Sequence, residues 1–201
     1  MKMLIATKNP DKIREIKEII DSNIEFVLLS SLPFEIDVIE DGKTIEENAI
    51  KKAVEYAAFS SMLTLSEDSG LEIDYLNGAP GVYSSRFGGD ISYDEKNRLI
   101  IKLLEGVPFE KRKARFKTVA ALASPSGFLK TSEGIVEGFI SFEPKGNNGF
   151  GYDPIFFYPE FNKTFGEVGL EEKNKVSHRA SAIRKIEKIL FLLKQEAKED
   201  Y

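Results

Sequence analysis

The feature that most constrains this chain is Ser66-Glu67-Asp68-Ser69-Gly70-Leu71, two adjacent acids closing a short apolar run (Met62, Leu63, Leu65). By itself it reads as the end of a strand that delivers both carboxylates onto a glycine turn. Adjacent acids repel, and desolvating either is costly unless a cation or hydrogen-bond donors compensate. A Mg²⁺ ion meets that need, because it takes one or two carboxylates, several waters and a phosphate oxygen. A solvated turn in which Asp68 bonds the backbone of Gly70 fits the same residues. What separates the two readings is the rest of the chain.

A length of 201 residues suits one domain, or one domain of two lobes. The absence of cysteine excludes disulfides, thiol catalysis and thiolate-bound metals, and agrees with a reducing cytoplasm. Met1 to Ala6 is too short for the core of a signal peptide, and no apolar run reaches the length of a membrane span, so a soluble cytoplasmic protein is expected. The net charge of −5 carries no general footprint for duplex nucleic acid, so any anion site must be built locally.

Lys2 to Ala6 reads as a buried strand running into Thr7-Lys8-Asn9-Pro10-Asp11-Lys12, after which Ile13, Ile16, Ile19 and Ile20 mark one helix face. Asn9 suits the N-cap, Pro10 the first helical position and Asp11 the positive helix end. The free N–H groups of such a start suit an anion, and an ordinary capped helix fits as well. After a strand over Glu25 to Leu29 come Glu40, Asp41 and Gly42, then Thr44 and Glu47, spaced as a capping box for a helix reaching about Phe59. Lys51 and Lys52 lie beside its buried face, either solvated or reaching over a cleft.

Leu71, Ile73 and Tyr75 alternate as a further strand beyond Gly70. Ser92 and Glu95 box the next helix, stopped near Gly106. Strands follow at Phe116 to Ala123, Phe128 to Thr131 and Ile135 to Phe142, which points to an antiparallel portion beside the opening strand–helix units and so to a mixed sheet flanked by helices.

Gly149-Phe150-Gly151-Tyr152-Asp153-Pro154 is no dinucleotide fingerprint, since its glycines are in the wrong order and no helix opens after it. Its glycines admit close approach of backbone to a flat ligand, its aromatics can stack and Asp153 can accept from base N–H groups; a hairpin with core aromatics fits too. Finally, Ser177 reads as the N-cap of a long amphipathic helix striped by Ile183, Ile186, Ile189, Leu190 and Leu193. His178 and Arg179 then fall in its first turn, the unfavourable end for cations. Breaking a local rule in this way is more expected at a working site than on idle surface.

Together the segments resemble the non-canonical purine nucleoside triphosphate pyrophosphatases, the inosine/xanthosine triphosphatase family. The matching pieces are Thr7-x-Asn9-x-x-Lys12, Glu47-Asn48-Ala49-x-x-Lys52-Ala53, Asp68-Ser69-Gly70-Leu71, Gly78-Ala79-Pro80-Gly81-Val82-Tyr83-Ser84-x-Arg86-Phe87, Gly149 to Pro154, and Ser177-His178-Arg179. They stand in the family's order along nearly the whole chain.

The resemblance implies a single two-lobed α/β domain over residues 1–201, an elongated mixed sheet with a central cleft. It implies hydrolysis of ITP, dITP and XTP to the monophosphate and pyrophosphate, with Mg²⁺, by a homodimer. Its substrate residues would be Thr7, Lys8, Asn9, Pro10, Asp11, Lys12 and Lys52 around the phosphates, with Ser69 also on the nucleotide. Phe150, Gly151, Tyr152, Asp153, Lys173, His178 and Arg179 would read the base. Asp68 would be the acid/base group, and Glu40, Asp68 and Glu67 would hold the metal. Glu40 stands in for one of the two glutamates that many members carry before the glycine matching Gly42, and Asn147-Asn148 replaces their usual Thr-Gly before Gly149. The rival readings are a pyrophosphatase for modified pyrimidine triphosphates or dUTP/dTTP, and a purine nucleotide sensor without turnover.

Overall fold

The computed structural model describes residues 1–20, 24–33 and 35–199. The chain is α/β. Its strands are β1 (Lys2–Ile5), β2 (Glu25–Leu28), β3 (Thr64–Ile73), β4 (Lys113–Ala123), β5 (Leu129–Ile140), β6 (Phe156–Tyr158) and β7 (Lys163–Thr164). Its helices are α1 (Pro10–Ile19), α2 (Ile45–Ser60), α3 (Tyr93–Leu103), α4 (Leu170–Val176) and α5 (His178–Glu199). The strands form one sheet in the order β2-β1-β3-β4-β5-β6-β7. β1 runs parallel to both β2 and β3, whereas β6 is antiparallel to β5 and β7, so the expected mixed sheet is present.

The chain divides into two compact units. The first comprises 1–68, 118–134 and 179–201, and the second 69–117 and 135–178. In the first, β1 is buried on both faces, and side chains alternate across a strand. Met3 and Ile5 join Ile16 and Ile19 of α1, Leu65 of β3, and Ala180, Ile183, Ile186 and Leu190 of α5. Leu4 and Ala6, of opposite parity, pack instead with Val38 and Tyr56 of α2. The apolar stripe read for the last helix is therefore the one that packs, with Ile189 and Leu193 at its margin. In the second unit, Leu71 and Ile73 pack with Ile100 of α3, Leu104 at its C-cap, and Phe116, Phe156 and Phe165. Those three rings contact one another at centroid separations of 4.5, 5.1 and 6.3 Å.

Local signals set most helix ends. The Asn9 side chain accepts from the N–H groups of Asp11 (2.9 Å) and Lys12 (3.2 Å), with Pro10 next in line. The Ser92–Glu95 box is complete. The Thr44–Glu47 box is half made. Thr44 caps Glu47 N–H, but the Glu47 carboxylate accepts from Lys43 N–H at 2.6 Å, one residue further back.

Three expectations need correcting. The acids do not end a strand at a glycine turn: β3 continues through Gly70 to Ile73, and Gly70 is not among the positive-φ glycines. The strands expected at Phe128 to Thr131 and Ile135 to Phe142 are one strand, β5. The segment before α5 holds a separate short helix, α4.

Candidate active site

Because β3 continues, Glu67 and Asp68 point to opposite faces of the sheet. Glu67 shares its face with Leu65, toward α1 and α5. Its carboxylate is fully buried and meets Lys12 Nζ at 3.1 Å and Arg179 Nε at 2.9 Å. Arg179, 1 % exposed, also binds Glu15 of α1 through Nη1. Burial by itself would raise the Glu67 pKa, but the charges of Arg179 and Lys12 overcome it and hold the group well below the carboxylate range. Burial likewise disfavours the Arg179 cation, and Glu67 and Glu15 more than restore it.

Asp68 lies on the α2 face, as does Ser66, whose hydroxyl donates to the Ala49 carbonyl of that helix. Asn48 Nδ2 donates to Asp68 Oδ2 at 3.3 Å, and Lys52 Nζ stands 3.8 Å from Oδ1. Lys52 also donates to Glu40 Oε2 (3.0 Å) and to the Glu67 carbonyl (2.9 Å). Glu40 and Asp68 thus converge on one ammonium. Burial, with Glu40 adding to it, raises the Asp68 pKa against the opposing pull of Lys52, Lys12 and Asn48. The charged loop is anchored from above by Asn48 Oδ1, which accepts from Gly42 N–H at 2.8 Å.

These positions revise the expected metal set. Glu67 is committed to Lys12 and Arg179, leaving Asp68 and Glu40. Among the described residues no group of three or more His, Cys, Asp or Glu is placed to hold a metal ion. Two converging carboxylates, one of them desolvated, fit Mg²⁺, which completes its shell with water and phosphate oxygens rather than with an all-protein cage.

The start of α1 also differs from expectation. Its Asp11 and Lys12 N–H groups are already taken by Asn9, so an anion there meets side chains instead. Thr7 Oγ1 accepts from Asn9 N–H at 3.2 Å. Lys12 Nζ is mostly buried against Glu67, while Lys8 is turned outward to Asp37 at 3.1 Å. Pro10 is exposed, and Asp11 pairs with Arg14 at 2.8 Å.

The second unit holds the remaining expected residues, with Ser69 half-buried at its first position in β3. Gly149 and Gly151 adopt positive φ (71° and 67°), the reason glycine stands at both. Asp153 Oδ2 accepts from Phe150 N–H (2.8 Å) and from Lys173 Nζ (2.6 Å), in a pair only 2–3 % exposed. This oxygen holds the loop together and is not a free acceptor for a base, contrary to the simplest expectation. A Cβ on Gly149 would collide with it. Lys173, on α4, stands 5.1 Å from the Phe150 ring centroid. Tyr152 is buried, with its hydroxyl donating to the Ser84 carbonyl at 2.7 Å. His178 stacks on Phe116 at 4.7 Å and an interplanar angle of 16°. The neighbours His178 and Arg179, expected to read a base together, fall in different units, and Arg179 is bound by carboxylates.

Sequence reasoning missed Glu15, and quoted Asn48 in a motif without giving it a role. Glu15 precedes the core residue Ile16 on α1, so an acid at a position bound for burial was the available signal. Asn48 is a polar residue in the apolar stripe of α2.

Fold and site define an α/β protein with a carboxylate–lysine centre suited to phosphate and a divalent cation, and, in its second unit, an aromatic, glycine-rich loop. The chain belongs to the Ham1 family, whose sequence model matches residues 3–189. It is 47% identical over 192 residues to the dITP/XTP pyrophosphatase of Desulforamulus reducens, covering 94% of this chain and 96% of that one. To the dITP/XTP pyrophosphatase of Bacillus subtilis it is 44% identical, covering 93% and 96%. The solved HAM1 protein of Coxiella burnetii superposes with a TM-score of 0.85 at 37% identity, covering 95% of this chain and 98% of that one.

Proposed function

We propose that the protein hydrolyses non-canonical purine nucleoside triphosphates (ITP, dITP, XTP) to the monophosphate and pyrophosphate, clearing them from the nucleotide pool. The observation that carries this reading is Asp68, a desolvated carboxylate of raised pKa sharing one lysine with Glu40. The names of the relatives, dITP/XTP pyrophosphatases, support the substrate class.

Asp68 accepts the proton of the attacking water; its raised pKa makes it a better base than a solvated aspartate. Lys12 and Lys52 bind phosphate oxygens, and the Glu15–Arg179–Glu67 pairs hold Lys12 in position. Asp68 and Glu40 would hold Mg²⁺, which when bound offsets charge on the triphosphate. In the second unit Lys173 offers a donor to a 6-keto purine. The amino group of adenine would set a donor against that donor, and such a mismatch is what makes rejection strong. Phe150 offers the base a stacking face. The protein is further proposed to act as a cytoplasmic homodimer, with no nucleic-acid or membrane partner. Among the described residues no helix is long and apolar enough to cross a membrane.

The test is release of pyrophosphate from ITP, dITP, XTP, GTP and dTTP, with Mg²⁺ and again with EDTA, for the native chain and Asp68→Asn. Turnover of ITP and XTP that EDTA abolishes and the substitution cripples is expected. A preference for dTTP would overturn the purine assignment, and nucleotide bound but recovered intact would make the protein a sensor. Sedimentation would decide the dimer.

A further inference from the structure

The Gly149–Asp153 loop leans on α3, an element for which neither the sequence motifs nor the proposed chemistry has a use. Asn97, in the second turn of α3, is 1 % exposed and donates from Nδ2 to the Gly151 carbonyl at 3.1 Å. The carbonyl can only accept, so the carboxamide orientation is decided and Oδ1 is the remaining atom. Oδ1 has no hydrogen-bond partner among the described residues. Leaving a buried acceptor unsatisfied costs at least as much as one neutral hydrogen bond returns. An apolar residue of the same size would serve packing better, so the asparagine is there for its donor.

Neighbouring contacts make α3 a platform for the loop. The Ser92–Glu95 box secures its first turn. The Tyr93 ring meets Tyr152 edge-on at 5.3 Å, and a Cβ placed on Gly151 would lie 3.6 Å from Tyr93. Lys96 Nζ donates to the Ser85 carbonyl at 2.5 Å, next to the Ser84 whose carbonyl receives the Tyr152 hydroxyl. Within the loop Asp153 ties Phe150 N–H, but Gly151, at φ 67°, has no side chain with which to fix its own peptide. Asn97 supplies that fixation from outside.

We propose that Asn97 is a positioning residue for base selection: by holding the Gly151 carbonyl it sets the backbone and the Phe150 ring that a purine base meets. The proposal rests on the reading of this loop as the base-recognition segment.

The experiment is steady-state kinetics of Asn97→Leu and Asn97→Asp on ITP and GTP, with inhibition by inorganic triphosphate measured alongside. Asn97→Leu removes the donor, and Asn97→Asp, equal in shape, exchanges the carboxamide nitrogen for a carboxyl oxygen and keeps the test standing should Asn97→Leu fold poorly. The expected result is a KM for ITP raised about tenfold with kcat within about threefold, a smaller ITP-over-GTP preference, and unchanged inhibition by triphosphate. A general loosening of the fold would move kcat and triphosphate inhibition as well. Kinetic constants and base preference within about twofold of the native protein would overturn the proposal, as would equal losses of KM and triphosphate inhibition. No turnover of ITP by the native protein would instead overturn the proposed function.

Discussion

The two units solve the same problem, burying charge, in opposite ways. The first gathers Lys12, Lys52 and Arg179 against Glu15, Glu40, Glu67 and Asp68, three cations facing four carboxylates. Its pairs are unequal: Arg179 is saturated by two acids, whereas Glu40 and Asp68 divide a single lysine. The second unit buries the cations Arg112 and Lys96 against backbone carbonyls, and in its loop buries a matched pair, Asp153 with Lys173, beside the rings of Phe150 and Phe165. A cluster with one carboxylate in excess answers to added positive charge, as a metal ion would supply. A balanced pair capped by aromatic faces fixes shape and hydrogen bonding. On this view chemistry belongs to the first unit and selection to the second.

The sharpest way to break that division is Asp68→Asn. Turnover of ITP should fall by about 10²–10⁴-fold, with nucleotide affinity largely kept; a rise in KM alone would move Asp68 from chemistry to binding. Next is Arg179→Met, which takes the guanidinium from Glu15 and leaves Glu67 with Lys12. It should cost about 3–5 kcal/mol, on the order of 10 °C in Tm for a chain of this length. Adding Glu15→Gln should recover part of that loss, because one of the two buried carboxylates that lost the guanidinium is then neutral. A near-native Tm in the single variant would show that the buried pairs are not the support described here.

In the second unit, Gly149→Ala drives a methyl into the Asp153 carboxylate and strains a positive φ. A loss of about 1–3 kcal/mol is expected, together with a raised KM for ITP and unaltered inhibition by inorganic triphosphate. If triphosphate inhibition weakened equally, the two units would not divide the work. The smallest effect concerns Glu167, whose carboxylate caps Thr164 N–H at 2.8 Å and whose pKa is lowered chiefly by that bond. A depressed carboxylate adds stability above its unfolded value, about 4.3, and loses it as pH falls through the folded one. The slight Tm deficit of Glu167→Gln at pH 7 should therefore vanish on acidification.

Much of this was legible locally. The Asn9 cap with Pro10, the Ser92–Glu95 box and the stripe of α5 are short-range patterns, and each helix forms where its pattern lies. Apart from Glu15 and Phe165, the residues that stand in the two clusters were also named from types and order, through the family likeness. What misled was the glycine after Asp68. Gly70 is permissive and specifies nothing, so whether the strand stops there depends on its neighbours in the sheet, which lie far away along the chain.

Sequence alone determined which residues are chemically able, where α1, α2, α3 and α5 begin, and the family. Only the tertiary structure decided which side each acid faces. Because β3 runs on, its two-residue period sends Glu67 to Lys12 and Arg179 and Asp68 to Lys52 and Glu40. The same step of one residue parts His178, stacked on Phe116, from Arg179, clasped by Glu15. Neighbours in a chain share composition and context; what separates their roles is the direction in which the backbone points them, and that direction is set by packing.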